Sequence, residues 1–112
     1  MSTELDAASN PIGTSLVFED DAVRIWRIDL EPGEEAAFHT HLLDYTTVVL
    51  EGDVVERPNA DGTTDRIDVH PGAIMRWHQG TQRHGLRNAG AKRFSNVIIE
   101  LKAVPARFGD GS

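Results

Sequence analysis

Five histidines, His39, His41, His70, His78 and His84, are the residues of this chain best suited to chemistry near neutral pH. His39 and His41 stand two apart in a run of strand-forming character, so both side chains point to one face of a strand. Strand rise puts their Cα atoms about 6–7 Å apart. Two imidazoles so placed can converge on one ion at about 2.0–2.2 Å per bond. A pair alone makes a weak site and needs a third ligand from a neighbouring strand. His84, which opens a later strand-like run, is the candidate. An exposed His-x-His pair also occurs as nothing more than a polar strand face, so spacing by itself leaves both readings open.

Other chemistries find little support. The chain has no cysteine, which excludes disulfides, thiolate nucleophiles and cysteine-held zinc or iron–sulfur centres. Ser15 and Ser95 lie in no Gly-x-Ser-x-Gly turn, and no glycine loop is arranged to cradle phosphate.

The elements that must position the histidines are short. Nine β-rich runs are predicted: Ser15–Glu19, Val23–Leu30, Ala36–His41, Tyr45–Glu51, Val54–Arg57, Asp65–His70, Ala73–Trp77, His84–Asn88 and Lys92–Lys102. Between them lie turn signals such as Glu31-Pro32-Gly33-Glu34, Asn59-Ala60-Asp61-Gly62 and His70-Pro71-Gly72. No window between these breakers holds an i, i+3, i+4, i+7 stripe, so a helical reading fails and the expected class is all-β, a sandwich or closed barrel. Tyr45–Leu50 is β-branched and almost uncharged, which predicts a central strand buried on both faces. Asp65–His70 alternates, which predicts cover on one face only.

At 112 residues the chain is long enough for one domain with a core of its own. We read residues 1–14 as an N-terminal arm, 15–102 as the barrel domain and 103–112 as a tail. The start of the chain has no basic segment followed by an apolar run, and no stretch approaches the roughly 20 apolar residues of a membrane span. A cytoplasmic protein is the expectation. The net charge of −7 repels nucleic acid and anionic lipid, so neither is an expected partner.

The histidines and glycines together resemble the two motifs of the cupin superfamily. In the first, Gly33 is followed by five residues, then His39, Thr40 and His41, with Tyr45 and Gly52 at the positions of the motif's glutamate and second glycine. In the second, Gly72, Gly80, His84 and Asn88 follow the motif's order. His78 replaces the motif proline, and one extra residue separates Gly80 from His84. The resemblance implies a small single-domain cupin, a jelly-roll or double-stranded β-helix barrel. It also implies a divalent transition metal held by His39, His41 and His84. Tyr45 in place of glutamate leaves no anionic ligand, which suits Zn²⁺, Fe²⁺, Ni²⁺ or Cu²⁺ better than Mg²⁺ or Ca²⁺. The expected register turns Tyr45 inward, whereas a slip of one residue would turn Asp44 inward instead. Tyr45 is then a weak ligand, a hydrogen-bond donor to substrate or bound water, or a packed core residue.

Arg76, Trp77 and Arg83 flank the second motif and are the candidate substrate-pocket residues, because a guanidinium fork pairs with carboxylates and indole walls line small-molecule sites. His70 is expected at the surface of a turn. The function that the resemblance implies is dioxygenation, isomerisation or decarboxylation of a small anionic metabolite, with Tyr45 as the catalytic candidate. The alternative is a non-catalytic ligand-binding or sensor cupin. The resemblance also implies a homodimer paired through an edge strand, for which Ser15–Glu19 or the tail would serve.

Overall fold

The structure is a computed structural model that describes residues 12–40, 43–77 and 83–102. Its nine strands are β1 (Ser15–Glu19), β2 (Val23–Leu30), β3 (Glu35–His39), β4 (Asp44–Glu51), β5 (Val54–Pro58), β6 (Thr64–Asp68), β7 (Ile74–Trp77), β8 (His84–Asn88) and β9 (Phe94–Leu101). No helix occurs among the described residues, and so none there is long and apolar enough to cross a membrane. The strands form a five-stranded sheet in the order β1-β2-β9-β4-β7 and a four-stranded sheet in the order β3-β8-β5-β6. Every pairing is antiparallel. The arm and tail assigned from sequence lie outside the described residues, apart from 12–14.

Strand periodicity explains the packing. In β2 the residues Arg24, Trp26, Ile28 and Leu30 are buried while their neighbours are half-buried, the alternation of a strand with one face on a core. β9 pairs with β2 without interruption, setting Trp26 opposite Ile98, Ile28 opposite Asn96 and Leu30 opposite Phe94. On its other side β9 meets β4, where Tyr45, Thr47 and Val49 oppose Glu100, Ile98 and Asn96. These inward side chains meet Val55 and Val69 of the second sheet's side, and together they form the barrel's core.

The prediction that Tyr45–Leu50 is buried on both faces needs correction. Tyr45, Thr47 and Val49 are buried, but Thr46 and Val48 are half-buried and Leu50 is exposed. β9 and β7 flank β4 and shield it only from the sides, so its outward face is partly open. The edge strand β1 exposes all five of its residues, Leu16, Val17 and Phe18 among them.

One end of the barrel is closed by turns that depend on glycine. Gly33 has φ +88°, and its N–H donates to Asn88 O at 2.9 Å, fastening the β2–β3 turn to the end of β8. Gly52 has φ +137°, and a Cβ there would stand 2.8 Å from Phe94 Cδ1. His39 and His84 lie at the opposite ends of β3 and β8, away from these turns.

Candidate functional site

His39 closes β3 and His84 opens β8, and the two are direct partners across the β3–β8 ladder. The pairing holds an irregularity. Ala36 opposes Leu86 and His39 opposes His84, so β3 uses three residues where β8 uses two. Strict alternation from half-buried Ala36 would send His39 outward. The bulge adds the extra residue, leaves Ala37 and Phe38 exposed, and turns His39 in. Both histidines are then buried, at 3% and 5% exposure, with ring centres 4.9 Å apart and planes at 69°.

His39 Nδ1 donates to Ala37 O at 3.0 Å, a bond to its own strand that fixes the ring's tautomer and leaves the lone pair on Nε2. Burial pushes the His39 pKa down to about 4. The Ala37 bond acts against that shift, while the charges of His84 and Arg83 add to it. At neutral pH the His39 ring is uncharged, the form in which imidazole binds metal.

The pair's chemistry fits a transition ion. For metal–nitrogen bonds of about 2.1 Å and ligand–metal–ligand angles of roughly 90–110°, two imidazole centres stand about 4.5–5.2 Å apart. The observed 4.9 Å falls in that range. It also falls within the spacing of an ordinary edge-to-face ring pair. Among the described residues no group of three or more His, Cys, Asp or Glu side chains is placed to hold an ion. The described chain thus offers two nitrogen donors, and His41, the third expected ligand, lies outside the described residues.

Between the sheets, beside the histidines, is a cavity with about 60 Å³ of room for the centres of water-sized spheres. Most of its wall is apolar, contributed by residues such as Ile28, Val69, Met75 and Ile98. Its polar groups are few: His39, His84, Tyr45, Arg57, Thr47 and Asn96. Tyr45 is buried and faces inward, while Asp44 sits opposite Leu101 on the other face, so the register turns the tyrosine toward the cavity. Arg57 is gripped by Asp65, whose Oδ2 accepts from its Nη2 at 2.8 Å and its Nε at 3.3 Å. Thr47 Oγ1 and Asn96 Oδ1 are buried without a hydrogen-bond partner.

The expected pocket residues separate. Arg76 is a correction: it is exposed and opposes Thr46 on the outer face, and Met75 lines the cavity in its stead. Neighbours in a strand face opposite ways, so Arg76 and Trp77 cannot both enter one pocket. Trp77 stands opposite Tyr45 in the β4–β7 register. Arg83 is exposed and is not part of the described cavity wall, yet its charge acts on His39. His70 is exposed in its turn, as expected, and His78 lies outside the described residues.

Sequence reasoning passed over Arg57, Thr47, Asn96 and a buried carboxyl, Glu100. Trp26 Nε1 donates to Glu100 Oε1 at 2.7 Å, and Arg24 Nη1 lies 3.9 Å from the same oxygen. Burial raises the Glu100 pKa, while the Trp26 bond and the charge of Arg24 oppose the rise. Asn96 and Glu100 share a strand face with Phe94 and Ile98, a facing set by the registers of β9 with β2 and β4.

No family model matches the sequence, and no curated protein matches it. Solved structures do. A cupin domain from Bordetella pertussis is similar with a TM-score of 0.72 and 22% identity, over 80% of this chain and 91% of that one. A protein with a double-stranded β-helix domain from Klebsiella pneumoniae is similar with a TM-score of 0.63 and 27% identity, over 78% and 73%. A sugar phosphate isomerase of the cupin superfamily from Silicibacter pomeroyi follows at 0.55 and 19%, over 73% and 52%. Two antiparallel sheets with no helix among the described residues, closing on an inward histidine pair and matching these barrels over most of the chain's length, give it the double-stranded β-helix fold of small cupin domains.

Proposed function

We propose that the chain binds a divalent transition metal (Zn, Fe, Ni or Cu) through His39 and His84, with His41 as third ligand, and acts on a small anionic metabolite. The reaction classes we assign are dioxygenation, isomerisation and decarboxylation. The observation that carries the reading is the buried histidine pair beside a cavity. When bound, such an ion supplies Lewis acidity that polarises a substrate oxygen. The chain's own groups do the rest. Arg57, oriented by Asp65, offers a guanidinium to the substrate's anionic group. Tyr45 holds a proton on its phenol oxygen at the cavity wall, placed to donate it to a substrate oxygen or to orient it. The apolar wall lowers the polarity around both groups and strengthens both interactions. That one structural neighbour is a sugar phosphate isomerase supports the enzymatic reading.

Elemental analysis of the purified, untagged protein tests this, beside the double variant His39→Ala, His84→Ala. The expected result is about one transition ion per chain, lost in the variant. Absence of metal from the unsubstituted protein, even after loading with each of the four ions and dialysis, sinks the proposal.

A non-catalytic ligand-binding barrel is the second reading. Its support is that the described site has no carboxylate beside the histidines and a largely apolar cavity. Under either reading we propose a second copy of the chain as partner, paired through β1, whose position at the sheet edge and exposed Leu16, Val17 and Phe18 suit strand-to-strand association.

A further inference from the structure

Thr47 and Asn96 line the cavity, at 6% and 5% exposure, and Thr47 Oγ1 and Asn96 Oδ1 have no hydrogen-bond partner. Native proteins pair nearly all such buried atoms, so two orphans in one cavity call for an explanation. Their positions relate them. Thr47 opposes Ile98 and Asn96 opposes Val49 across the β4–β9 ladder, so the two are diagonal neighbours on the inner face. Diagonal neighbours have Cβ atoms no more than about 7–8 Å apart, close enough for one small group between them to meet both.

We propose that this pair recognises the hydroxyl of a small hydroxy acid. Asn96 Oδ1 only accepts, whereas the Thr47 hydroxyl can also donate. A ligand hydroxyl donates to Asn96 and accepts from Thr47, satisfying both atoms at once. A ligand carbonyl leaves Asn96 Oδ1 unpaired, and an ammonium leaves the Thr47 proton unused. The remaining wall sets the rest of the ligand: apolar side chains take a short carbon skeleton, and Arg57 takes its carboxylate. The modest size of the cavity between the sheets suits a short acid. The anionic end of this ligand rests on the reading under Proposed function, but the hydroxyl subsite stands without a metal.

The test uses acids in which a methyl replaces the hydroxyl at nearly constant shape: lactate against isobutyrate, and 3-hydroxybutyrate against 3-methylbutyrate. Affinities are measured by titration calorimetry on the metal-loaded protein and on protein stripped by a chelator. In at least one pair the hydroxy acid is expected to bind tenfold or more tightly, because a site built to bond a hydroxyl rejects the analogue that lacks it. The double variant Thr47→Val, Asn96→Leu is expected to lose or invert that preference while melting no lower than the original. A merely structural role would lower the melting temperature. The proposal is overturned if the original protein favours the methyl acid or fails to distinguish the members in both pairs. It is overturned equally if none of the four binds at tens of millimolar, which leaves the pair as a hydration site. Because the affinity ratio is read with and without metal, its failure is separate from failure of the metal site, which elemental analysis reports.

Discussion

Asn88 and Asn96 are both buried, at 1% and 5% exposure, yet their side chains end in opposite states. Asn88 Nδ2 donates to Leu30 O at 2.9 Å and Lys92 O at 2.8 Å, and its Oδ1 accepts from Gly90 N at 3.0 Å. Its backbone adds bonds to Glu34 O and from Gly33 N. One residue thus ties the turns before β3 and before β9 to the end of β8. Asn96, on the cavity wall, has an acceptor that nothing satisfies. A buried amide with every bond made holds the closed end of the barrel together. A buried amide with a bond missing keeps the cavity ready for something else. The same residue type serves structure at one place and recognition at the other, and only the partner inventory tells them apart.

The comparison is sharpest where the stability effects have opposite signs. Asn88→Ala removes three side-chain bonds and strands their partners, and it is expected to cost about 3 kcal/mol in urea unfolding. A cost below about 1 kcal/mol would place Asn88 with Asn96 and break the contrast. Asn96→Leu exchanges an unpaired polar group for an apolar one of similar shape, and the ligand-free protein is expected to gain about 1 kcal/mol. A loss of that size would show that Asn96 is structural after all. The smallest effect belongs to Glu100→Gln. Burial raises the Glu100 pKa in the folded state, so the fold favours the protonated acid and loses stability as pH rises from about 4.5 through the raised value. Glutamine keeps the oxygen that accepts from Trp26 and carries no charge to desolvate. The variant's stability relative to the original protein is therefore expected to increase over that window and level off above it. Unfolding midpoints at several pH values check this, and a difference independent of pH would contradict it.

Much of the architecture was legible in the sequence because turn chemistry is local. Aspartate, glycine, proline and asparagine between β-rich runs mark the bounds of β1, β2 and β8 as predicted, and the other strands shifted by a few residues. The approach of His84 to His39 was a matter of spacing between two such runs. What the sequence concealed was facing. β9 reads Phe-Ser-Asn-Val-Ile-Ile-Glu-Leu, with apolar residues in both parities, so nothing local says that Asn96 and Glu100 turn in while Val97 and Ile99 turn out. Neighbouring strands decide it, through the registers with β2 and β4. Arg76 was chosen for its residue type, and its parity overruled the choice. Arg57 was missed for the same reason, since its inward direction depends on the pairing of β5 with β6 and β8.

The extra residue between Ala36 and His39 makes the site a question of phase as well as composition. Loss of a single codon from this segment, at Ala37 or Phe38, would spare every histidine and leave their His-x-His spacing intact. The strand would regain even alternation without its bulge, and His39, then two residues after Ala36, would still face the cavity. The bulge and the extra residue cancel each other, so the pocket keeps its histidine with either length of strand. A one-residue change in a strand can thus leave a site whole where alternation counted along the longer chain would have placed the side chain outside.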